Sequence, residues 1–346
     1  MEKRTRVLAA VGLTVAMFLA VQLGALALVE PFQSAGYQQV EDPSDPTNSL
    51  VYVGAVLVLT AVMLAIIKLD VQWLLRGAII FTSGLLSWYV FSVVIPAVAV
   101  VSVGGAPVNL LALAGATAVA VALAVHPEWY VIDAAGVLMG AGAAGLFGIS
   151  FGVLPAILLL SVLAVYDAIS VYGTEHMLTL ASGVMDLKIP VILVVPLTLS
   201  YSFLDEGEQP TDAPGEPPDG AESAEASAAD GGRADDATEA PEDADAPELG
   251  ERDVFFIGLG DAVMPSVMVA SAAFFAPPEP LVSGLALNLP ALTSMVGTTL
   301  GLLVLLWLVM KGRAHAGLPL LNGGAIGGYL VGALASGMTL MQALGL

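Results

Sequence analysis

The chain contains no cysteine and few charged residues, and both shortages narrow its function. Because none of its 346 residues is cysteine, disulfides, thiolate metal sites and cysteine nucleophiles are excluded. Charged residues make up 12% of the chain and hydrophobic residues 57%, with a mean hydropathy of +0.88, which excludes an ordinary soluble domain. Only 10 lysines and arginines occur. A basic face for nucleic acid is therefore missing, and we expect no nucleic-acid partner.

What the sequence has instead is a series of apolar runs of about 20 residues, the length that spans a membrane as a helix. We predict an all-α polytopic membrane protein with nine transmembrane helices. The predicted spans cover residues 7–29, 50–67, 74–101, 108–125, 130–149, 151–171, 254–275, 281–310 and 316–344. The first run has features of a signal peptide, but it is long enough to span, and we predict that it is retained. The shorter run 191–199, broken by Pro190 and Pro196, is predicted to be interfacial or re-entrant.

The positions of the basic residues predict the orientation of these helices. If the N-terminus is cytoplasmic, all 10 lysines and arginines fall on the cytoplasmic side, as the positive-inside rule requires. The C-terminus is then outside. The predicted parts are a six-helix membrane bundle (1–172), a cytoplasmic loop (173–253) and a three-helix membrane part (254–346). Residues 202–253 are rich in Ala, Asp, Glu, Pro and Gly, so we predict a disordered, solvated linker, with an interaction arm as the alternative.

Two aspartates lie inside predicted spans, one on each side of this loop. Asp167 is in the sixth helix and Asp261 in the seventh, and an ionisable group in hydrocarbon usually has a function because it is costly to place there. At about 1.5 Å per residue, Asp167 lies roughly 6–8 Å and Asp261 roughly 10–12 Å from the cytoplasmic ends of two antiparallel helices. Gly258 and Gly260 should let a helix approach Asp261 closely. We therefore predict that the two carboxyl groups lie together and share one proton.

A carboxyl pair that holds one proton can hydrolyse a peptide bond. The ionised partner deprotonates a water molecule while the protonated partner polarises the scissile carbonyl. The two segments, Tyr166-Asp167 and Gly258-Leu259-Gly260-Asp261, resemble the presenilin and signal-peptide-peptidase family of intramembrane aspartyl proteases of the GxGD type, in its archaeal-type form. The resemblance implies nine helices, with the catalytic aspartates on the sixth and seventh.

The same family carries a Pro-Ala-Leu motif at the start of its last helix, near the active site. The literal Pro290-Ala291-Leu292 lies at the far end of the eighth span, so we assign this place to Ala316-Gly317-Leu318-Pro319. Pro319 lacks an N–H and should keep the preceding residues out of a helix, leaving extended backbone that can receive an unwound substrate. The predicted catalytic residues are Asp167 and Asp261, and the predicted substrate-binding residues are Tyr166, Gly258, Leu259, Gly260, Gly317, Leu318 and Pro319.

The resulting hypothesis is an aspartic endopeptidase that cuts within the transmembrane helices of membrane proteins or signal peptides. We expect it to need no metal and no organic cofactor. Its expected partners are transmembrane-helix substrates and the lipid bilayer. We expect a multi-pass protein of an archaeal plasma membrane, and the oligomeric state stays open, a homo-oligomer included.

Other functions fit the residues less well. A secondary transporter coupled to protons or cations would also use intramembrane aspartates, but it needs an inverted repeat that the sequence does not contain. A catalytically silent scaffold would use the two aspartates only to hold helices together.

Three further features are interpreted as structural. Gly148-Ile149-Ser150-Phe151-Gly152 has the form of a serine-hydrolase motif, but the histidines lie on the other predicted side of the membrane, so we interpret it as a turn between helices. Asp133 is interpreted as a snorkelling or hydrogen-bonded residue near a helix end. Glycines recur along the last helix and predict close helix packing: Gly323, Gly324, Gly327, Gly328 and Gly332.

Overall fold

Helices form most of the molecule, with two short antiparallel strand pairs between them. The structure is a computed structural model that describes residues 3–69, 71–104, 106–173, 192–196, 254–311 and 316–346. The helices are α1 (Lys3–Ser34), α2 (Thr47–Lys68), α3 (Gln72–Val94), α4 (Leu110–Val125), α5 (Trp129–Ser150), α6 (Val153–Gly173), α7 (Leu259–Phe275), α8 (Leu289–Val309), α9 (Gly317–Ala335) and α10 (Leu340–Leu344). The strands are β1 (Val100–Val103), β2 (Ala106–Asn109), β3 (Ile192–Pro196) and β4 (Val254–Gly258).

Most of these helices can cross a membrane. Within the described residues, seven are long and apolar enough to span it, namely α1, α2, α3, α5, α6, α8 and α9. The apolar helices α4 and α7 are shorter. The structure therefore confirms a polytopic, mainly helical membrane architecture.

The strand pairs correct the prediction of an all-α fold. β1 pairs with β2 between α3 and α4, and β3 pairs with β4 beside α7. The run 191–199, predicted as interfacial or re-entrant, contains β3, and the predicted span 254–275 begins with β4 before α7 starts at Leu259. β3 and β4 are runs of 5 residues each, rich in β-branched and aromatic residues, which favour strands over helices.

Two other helices have bounds that differ from the prediction. The span predicted at 281–310 becomes helical only at Leu289, because the side chain of Asn288 caps the helix by accepting the N–H of Ala291 at 2.9 Å. Pro290 occupies the first turn, where its missing N–H is harmless. The span predicted at 316–344 divides into α9 and α10, and Gly337 between them has a left-handed φ of 84°.

α5 lies at the centre of the bundle and packs against α1, α3 and α7. Its small residues bring neighbouring helices close: Gly148 lies against Ala270 of α7, and Gly145 lies against Phe32 of α1. Phe18 and Val21 of α1 are fully buried in the hydrophobic core. Loss of α1 would remove this part of the core, and retention of the first helix stays a prediction.

Glycines bring the backbones of α8 and α9 into contact. A Cβ atom at Gly297 or at Gly324 would overlap the carbonyl group of the other residue. The prediction of close packing is confirmed for three glycines of α9 that face α8, namely Gly324, Gly328 and Gly332. It is wrong for Gly323 and Gly327, where a Cβ atom would meet no described residue within 4 Å.

Two hydrogen bonds fasten the loop between α1 and α2, and the start of α2, to the end of the bundle where α5 turns into α6. The N–H of Gly152 donates to the carbonyl of Pro43 at 2.8 Å. The hydroxyl of Ser49, at the start of α2, donates to the carbonyl of Pro155 at 2.7 Å. The short helix α10 packs against α6 at this end as well. The first turns of α6 are therefore held from several sides.

Ser150 contributes to the same end of the bundle. Its hydroxyl donates to the carbonyl of Leu146 at 2.7 Å and accepts the N–H of Gln39 at 3.0 Å. The side chain is fully buried. These contacts agree with the interpretation of the G-x-S-x-G sequence as a turn between two helices.

Candidate active site

Asp167 lies near the end of α6, and its carboxyl group meets the start of α9. Its Oδ2 atom accepts a hydrogen bond from the backbone N–H of Leu318 at 3.0 Å. The N–H of Gly317 also interacts with this carboxyl group. Leu318 is in the first turn of α9, where backbone N–H groups have no acceptor within the helix. Asp167 therefore supplies the acceptor that this turn lacks and joins two segments that are distant in sequence.

Asp261 lies in the first turn of α7 and approaches the same part of α9. A Cβ atom built on Gly317 would lie 3.4 Å from Asp261 Oδ2, and one built on Gly258 would lie 3.5 Å from the same oxygen. The Asp261 carboxyl group also lies within electrostatic range of Asp167. The start of α9 is thus in contact with both aspartates, and glycine at 317 leaves the space that a side chain would fill.

The position of Asp261 within its helix differs from the prediction, because α7 begins later than predicted. The helix starts at Leu259, so Asp261 lies about 3 Å from its start instead of roughly 10–12 Å. Residues 254–258 reach the same point as a strand. Each carboxyl group consequently meets the N-terminal end of a helix, Asp261 that of α7 and Asp167 that of α9, where the helix dipole is positive.

The start of α9 is helical, contrary to the prediction of extended backbone there. Ala316 is the N-cap, and Gly317, Leu318 and Pro319 form the first turn. A proline in the first turn loses no hydrogen bond, because the N–H that it lacks would have no acceptor there. The N–H of Leu318 is available to Asp167 for the same reason.

α5 supports the strand pair that leads into α7. Leu259 is buried, and Cβ atoms built on Gly136 and Gly140 of α5 would lie 3.8 and 3.3 Å from its Cδ1 atom. About one turn earlier on α5, Asp133 accepts the N–H of Val194 in β3 at 2.7 Å. The Asp133 side chain is only 7% exposed, so the hydrogen-bonded interpretation is confirmed and snorkelling is wrong.

Asn322 joins α9 to α6 deeper in the seam that holds Asp167. Its Nδ2 atom donates to the carbonyl of Leu160 at 3.0 Å, and its Oδ1 atom is buried without a partner among the described residues. Leu160 precedes Asp167 by about two helical turns, and Asn322 follows Leu318 by about one. Asn322 was not among the predicted site residues, although an amide inside an apolar helix is itself a signal.

Three further predicted features lie at different places in the structure. The side chain of Tyr166 is 42% exposed on the surface of α6. A Cβ atom at Gly260 would meet no described residue within 4 Å, so the predicted close helix approach is wrong there. Pro290, of the literal Pro-Ala-Leu sequence, lies against Gly332, which is about 22 Å along α9 from Gly317.

Two predictions concern features on which the structure bears little. Within the described residues, no group of three or more histidine, cysteine, aspartate or glutamate side chains could hold a metal ion. The expectation that neither metal nor cofactor takes part stays a prediction. The disordered linker predicted at 202–253 lies outside the described residues.

Comparisons with known proteins agree with this architecture. The family described as signal-peptide peptidase, presenilin aspartyl protease matches residues 15–338. The chain is similar to the structure of a presenilin family intramembrane aspartate protease in space group C222, with 32% sequence identity, a TM-score of 0.59, and coverage of 95% of this chain and 99% of that chain. A structure of the same description in space group P2 has 32% identity, a TM-score of 0.57, and coverage of 93% and 96%. No curated protein matches the chain.

The chain therefore belongs to the signal-peptide peptidase and presenilin family of aspartyl proteases. It is an aspartic endopeptidase with the multi-pass helical fold of a presenilin-family membrane protein. The alternative of a proton- or cation-coupled transporter is not supported by either comparison.

Proposed function

We propose that Asp167 and Asp261 are the catalytic pair of this protease and that they hydrolyse peptide bonds inside transmembrane helices. The observation that carries the proposal is the convergence of α6, α7 and the first turn of α9 on the two carboxyl groups. A pair of carboxyl groups among apolar helices is costly to maintain, and the hydrogen bond from the Leu318 N–H gives a structural reason for Asp167 alone.

The chemistry requires one proton on the pair. The ionised carboxylate takes a proton from a water molecule, whose oxygen attacks the carbonyl carbon of the substrate, and the protonated carboxyl group gives its proton to the carbonyl oxygen. The tetrahedral intermediate then breaks its C–N bond: the leaving amine receives a proton from one aspartate, and a hydroxyl of the intermediate gives its proton to the other aspartate, which leaves a carboxylic acid and restores the single proton on the pair. Which aspartate holds the proton at the start is a property of the pair and not of either residue.

A substrate helix must unwind locally before this attack, because its carbonyl groups are hydrogen-bonded within the helix. We assign the reception of the unwound segment to the start of α9, where Gly317, Leu318 and Pro319 lie beside Asp167. The exposure of Tyr166 on α6 supports a further substrate contact at the membrane surface of the site. Gly258 at the end of β4 and Gly260 at the start of α7 would border the same space, and a substrate contact of the buried Leu259 stays a prediction.

The proposal includes the predicted placement in the membrane, with nine spans, a cytoplasmic N-terminus and an outer C-terminus. α7 has only 17 residues, shorter than the usual span of about 20, and β4 lengthens this segment on the side of Asp261. The distribution of lysine and arginine supports the orientation. The parts 1–172, 173–253 and 254–346 keep their predicted roles, with one aspartate on each side of the loop.

The test is cleavage of a single-span substrate by the purified full-length protein in liposomes. Asp167→Asn and Asp261→Asn should each lower the rate by about 1,000-fold or more, because the two groups act as one unit. The control is Asp45→Asn, the same change in an exposed loop, which should leave the rate unchanged. Thermal unfolding of each variant separates loss of catalysis from loss of structure. Cleavage that survives either substitution in a folded protein would contradict the proposal.

A further inference from the structure

The strand pair β3–β4 determines where Asp261 lies, yet no tight turn sets its register. β4 ends at Gly258, immediately before the turn of α7 that carries Asp261. Residues 197–253 separate the two strands, whereas a short connection of about two to five residues is what fixes register in ordinary hairpins. A slip of two residues would keep each side chain on its face of the sheet and still move β4 by about 7 Å. Another contact must therefore select the register.

Asp133 makes a contact of the required kind. Its Oδ1 atom accepts the N–H of Val194, the residue of β3 that lies opposite Phe256 of β4. The side chain is buried, and its Oδ2 atom has no hydrogen-bond partner among the described residues. Any shift of β3 along α5 would remove the one donor that this buried carboxyl group has among the described residues, which is strongly unfavourable.

Two glycines extend this contact along the same face of α5. A Cβ atom at Gly136 would lie 3.1 Å from Leu193 Cδ2, and one at Gly140 would lie 3.3 Å from Leu259 Cδ1. Residues at spacings of three and seven share one face of a helix. α5 therefore offers one hydrogen-bond acceptor and two close-fitting positions to the strand pair and to the residue that follows it, and all three agree on one register.

We propose that Asp133 is a positioning residue for Asp261: it fixes β3 through the N–H of Val194, and β3 fixes β4 and the start of α7. The inference rests on the proposed function, because it takes Asp261 to be catalytic. The role needs a hydrogen-bond acceptor at one point and does not need a charge. An asparagine with its Oδ1 atom in the same place meets that requirement, and a leucine of similar size does not.

The kinetic test compares two variants of this residue with a control on the same helix as Asp261. Asp133→Leu should lower kcat by about 10-fold or more through misplacement of Asp261, with KM changed by less than about twofold because the substrate contacts are kept. Asp133→Asn should keep at least about half of kcat. The control Ser271→Ala removes the bond from Ser271 to the carbonyl of Phe151, about 15 Å from Asp261 along α7, and should keep the wild-type kcat.

A second measurement reads the register without using activity. Because the chain has no cysteine, two introduced cysteines can report one pairing: Val194→Cys with Phe256→Cys joins residues that lie opposite each other, within reach of a disulfide. Val194→Cys with Val254→Cys reports a slip of two residues. We expect the first pair to form a disulfide in the otherwise unchanged protein and with Asp133→Asn. With Asp133→Leu, its yield should fall by at least about half and the second pair should appear.

The two measurements separate failure of this inference from failure of the proposed function. An inactive wild-type protein would contradict the proposed function and leave the disulfide result intact. Normal kcat and a native disulfide pattern in Asp133→Leu would overturn the positioning role, as would Asp133→Asn being as slow as Asp133→Leu. If Asp133→Leu does not fold, Asp133→Ser takes its place. The serine side chain is one bond shorter than that of aspartate, so its hydroxyl should not reach the Val194 N–H. This variant should therefore show the same lower kcat and the same lower yield of the native disulfide.

Discussion

A methyl group added at Gly324 should weaken the protein, whereas the same methyl group added at the neighbouring Gly323 should not. Gly324 faces α8, and its Cβ atom would overlap the carbonyl group of Gly297. Gly323 has no described residue within 4 Å of that position. The two variants therefore make the same chemical change at neighbouring residues of α9, about 100° apart around the helix.

The contacts give the size of the difference. An overlap with a backbone carbonyl cannot be relieved by rotating a side chain, so α8 and α9 must separate by about 1 Å, and overpacking of this kind costs about 1–3 kcal/mol. At Gly323 the methyl group should stabilise the helix by about 0.5–1 kcal/mol, because alanine loses less conformational freedom on folding than glycine. The gain from alanine is common to both variants and cancels, so Gly324→Ala and Gly323→Ala should differ by the overpacking cost of about 1–3 kcal/mol in the free energy of unfolding.

The same displacement should reach the catalytic site. Gly324 lies about 10 Å along α9 from Gly317, so a shift of α9 moves the Leu318 N–H away from Asp167. A misplacement of about 1 Å lowers catalytic rates by up to about 100-fold, and we expect Gly324→Ala to lose activity while Gly323→Ala keeps it. Unfolding in mixed detergent and cleavage of a single-span substrate measure the two effects. Equal stability and equal activity of the two variants would refute this account of the α8–α9 contact.

Three further predictions concern the site itself. Leu318→Pro removes the N–H that donates to Asp167 and should lower kcat by about 10-fold or more. Leu318→Ala keeps this N–H, and its kcat should stay within a fewfold of the wild-type value. Equal rates of the two variants in a cleavage assay would contradict the role of the bond. Asn322→Leu loses the bond to Leu160 and also the unpaired Oδ1 atom, so its free energy of unfolding should change by less than about 1 kcal/mol. Its kcat should fall, because α6 can then move against α9. A clear loss of stability at unchanged kcat would show that Asn322 serves the fold alone. The pH profile of kcat should be bell-shaped, because the pair is inactive both with two protons and with none, and a rate that rises steadily with pH would point to a different base.

The sequence predicts the central feature of the site because that feature follows from hydropathy and charge. Apolar runs define the spans, basic residues define their sides, and two aspartates in consecutive antiparallel spans must then lie near the same membrane face. The contact of both carboxyl groups with the start of α9 is in line with this prediction. The position of Asp261 within its helix does not follow from the sequence in this way. Residues 254–257 are as apolar as the helix that follows, so hydropathy does not show where the helix begins.

The strand pair could not be separated from helix by pattern alone. An apolar run of five residues carries no period that distinguishes a buried strand from a helix segment. The composition did contain a signal, since Ile192, Val194 and Val195 are β-branched and Pro190 and Pro196 flank them, which is typical of a short strand.

The roles of Asp133 and Pro319 could not be predicted for a different reason. Asp133 accepts a backbone N–H from a strand that the sequence analysis does not predict, 61 residues away. Every residue except proline has a backbone N–H, so the sequence does not show which one is the partner. The prediction at Pro319 treats proline as a helix breaker, although the first turn is the one place where a helix accepts proline without loss. Both cases depend on where an element begins, which is the least certain part of any sequence-based prediction.

The hydrogen bonds where α5 turns into α6 hold the first turns of α6 in place. Beside the bond between Ser49 and Pro155, Val153 and Ala156 are buried, whereas Val165 and Ile169, beside Asp167, are 59% and 60% exposed. The distance from Pro155 to Asp167 along the helix is about 18 Å. A tilt of about 10° would then carry Asp167 sideways by about 3 Å but Leu160 by only about 1 Å. A tilt of this size would break the hydrogen bond from the Leu318 N–H to Asp167 and make room for a peptide backbone beside Asp167, while the bonded end of α6 stays almost where it was.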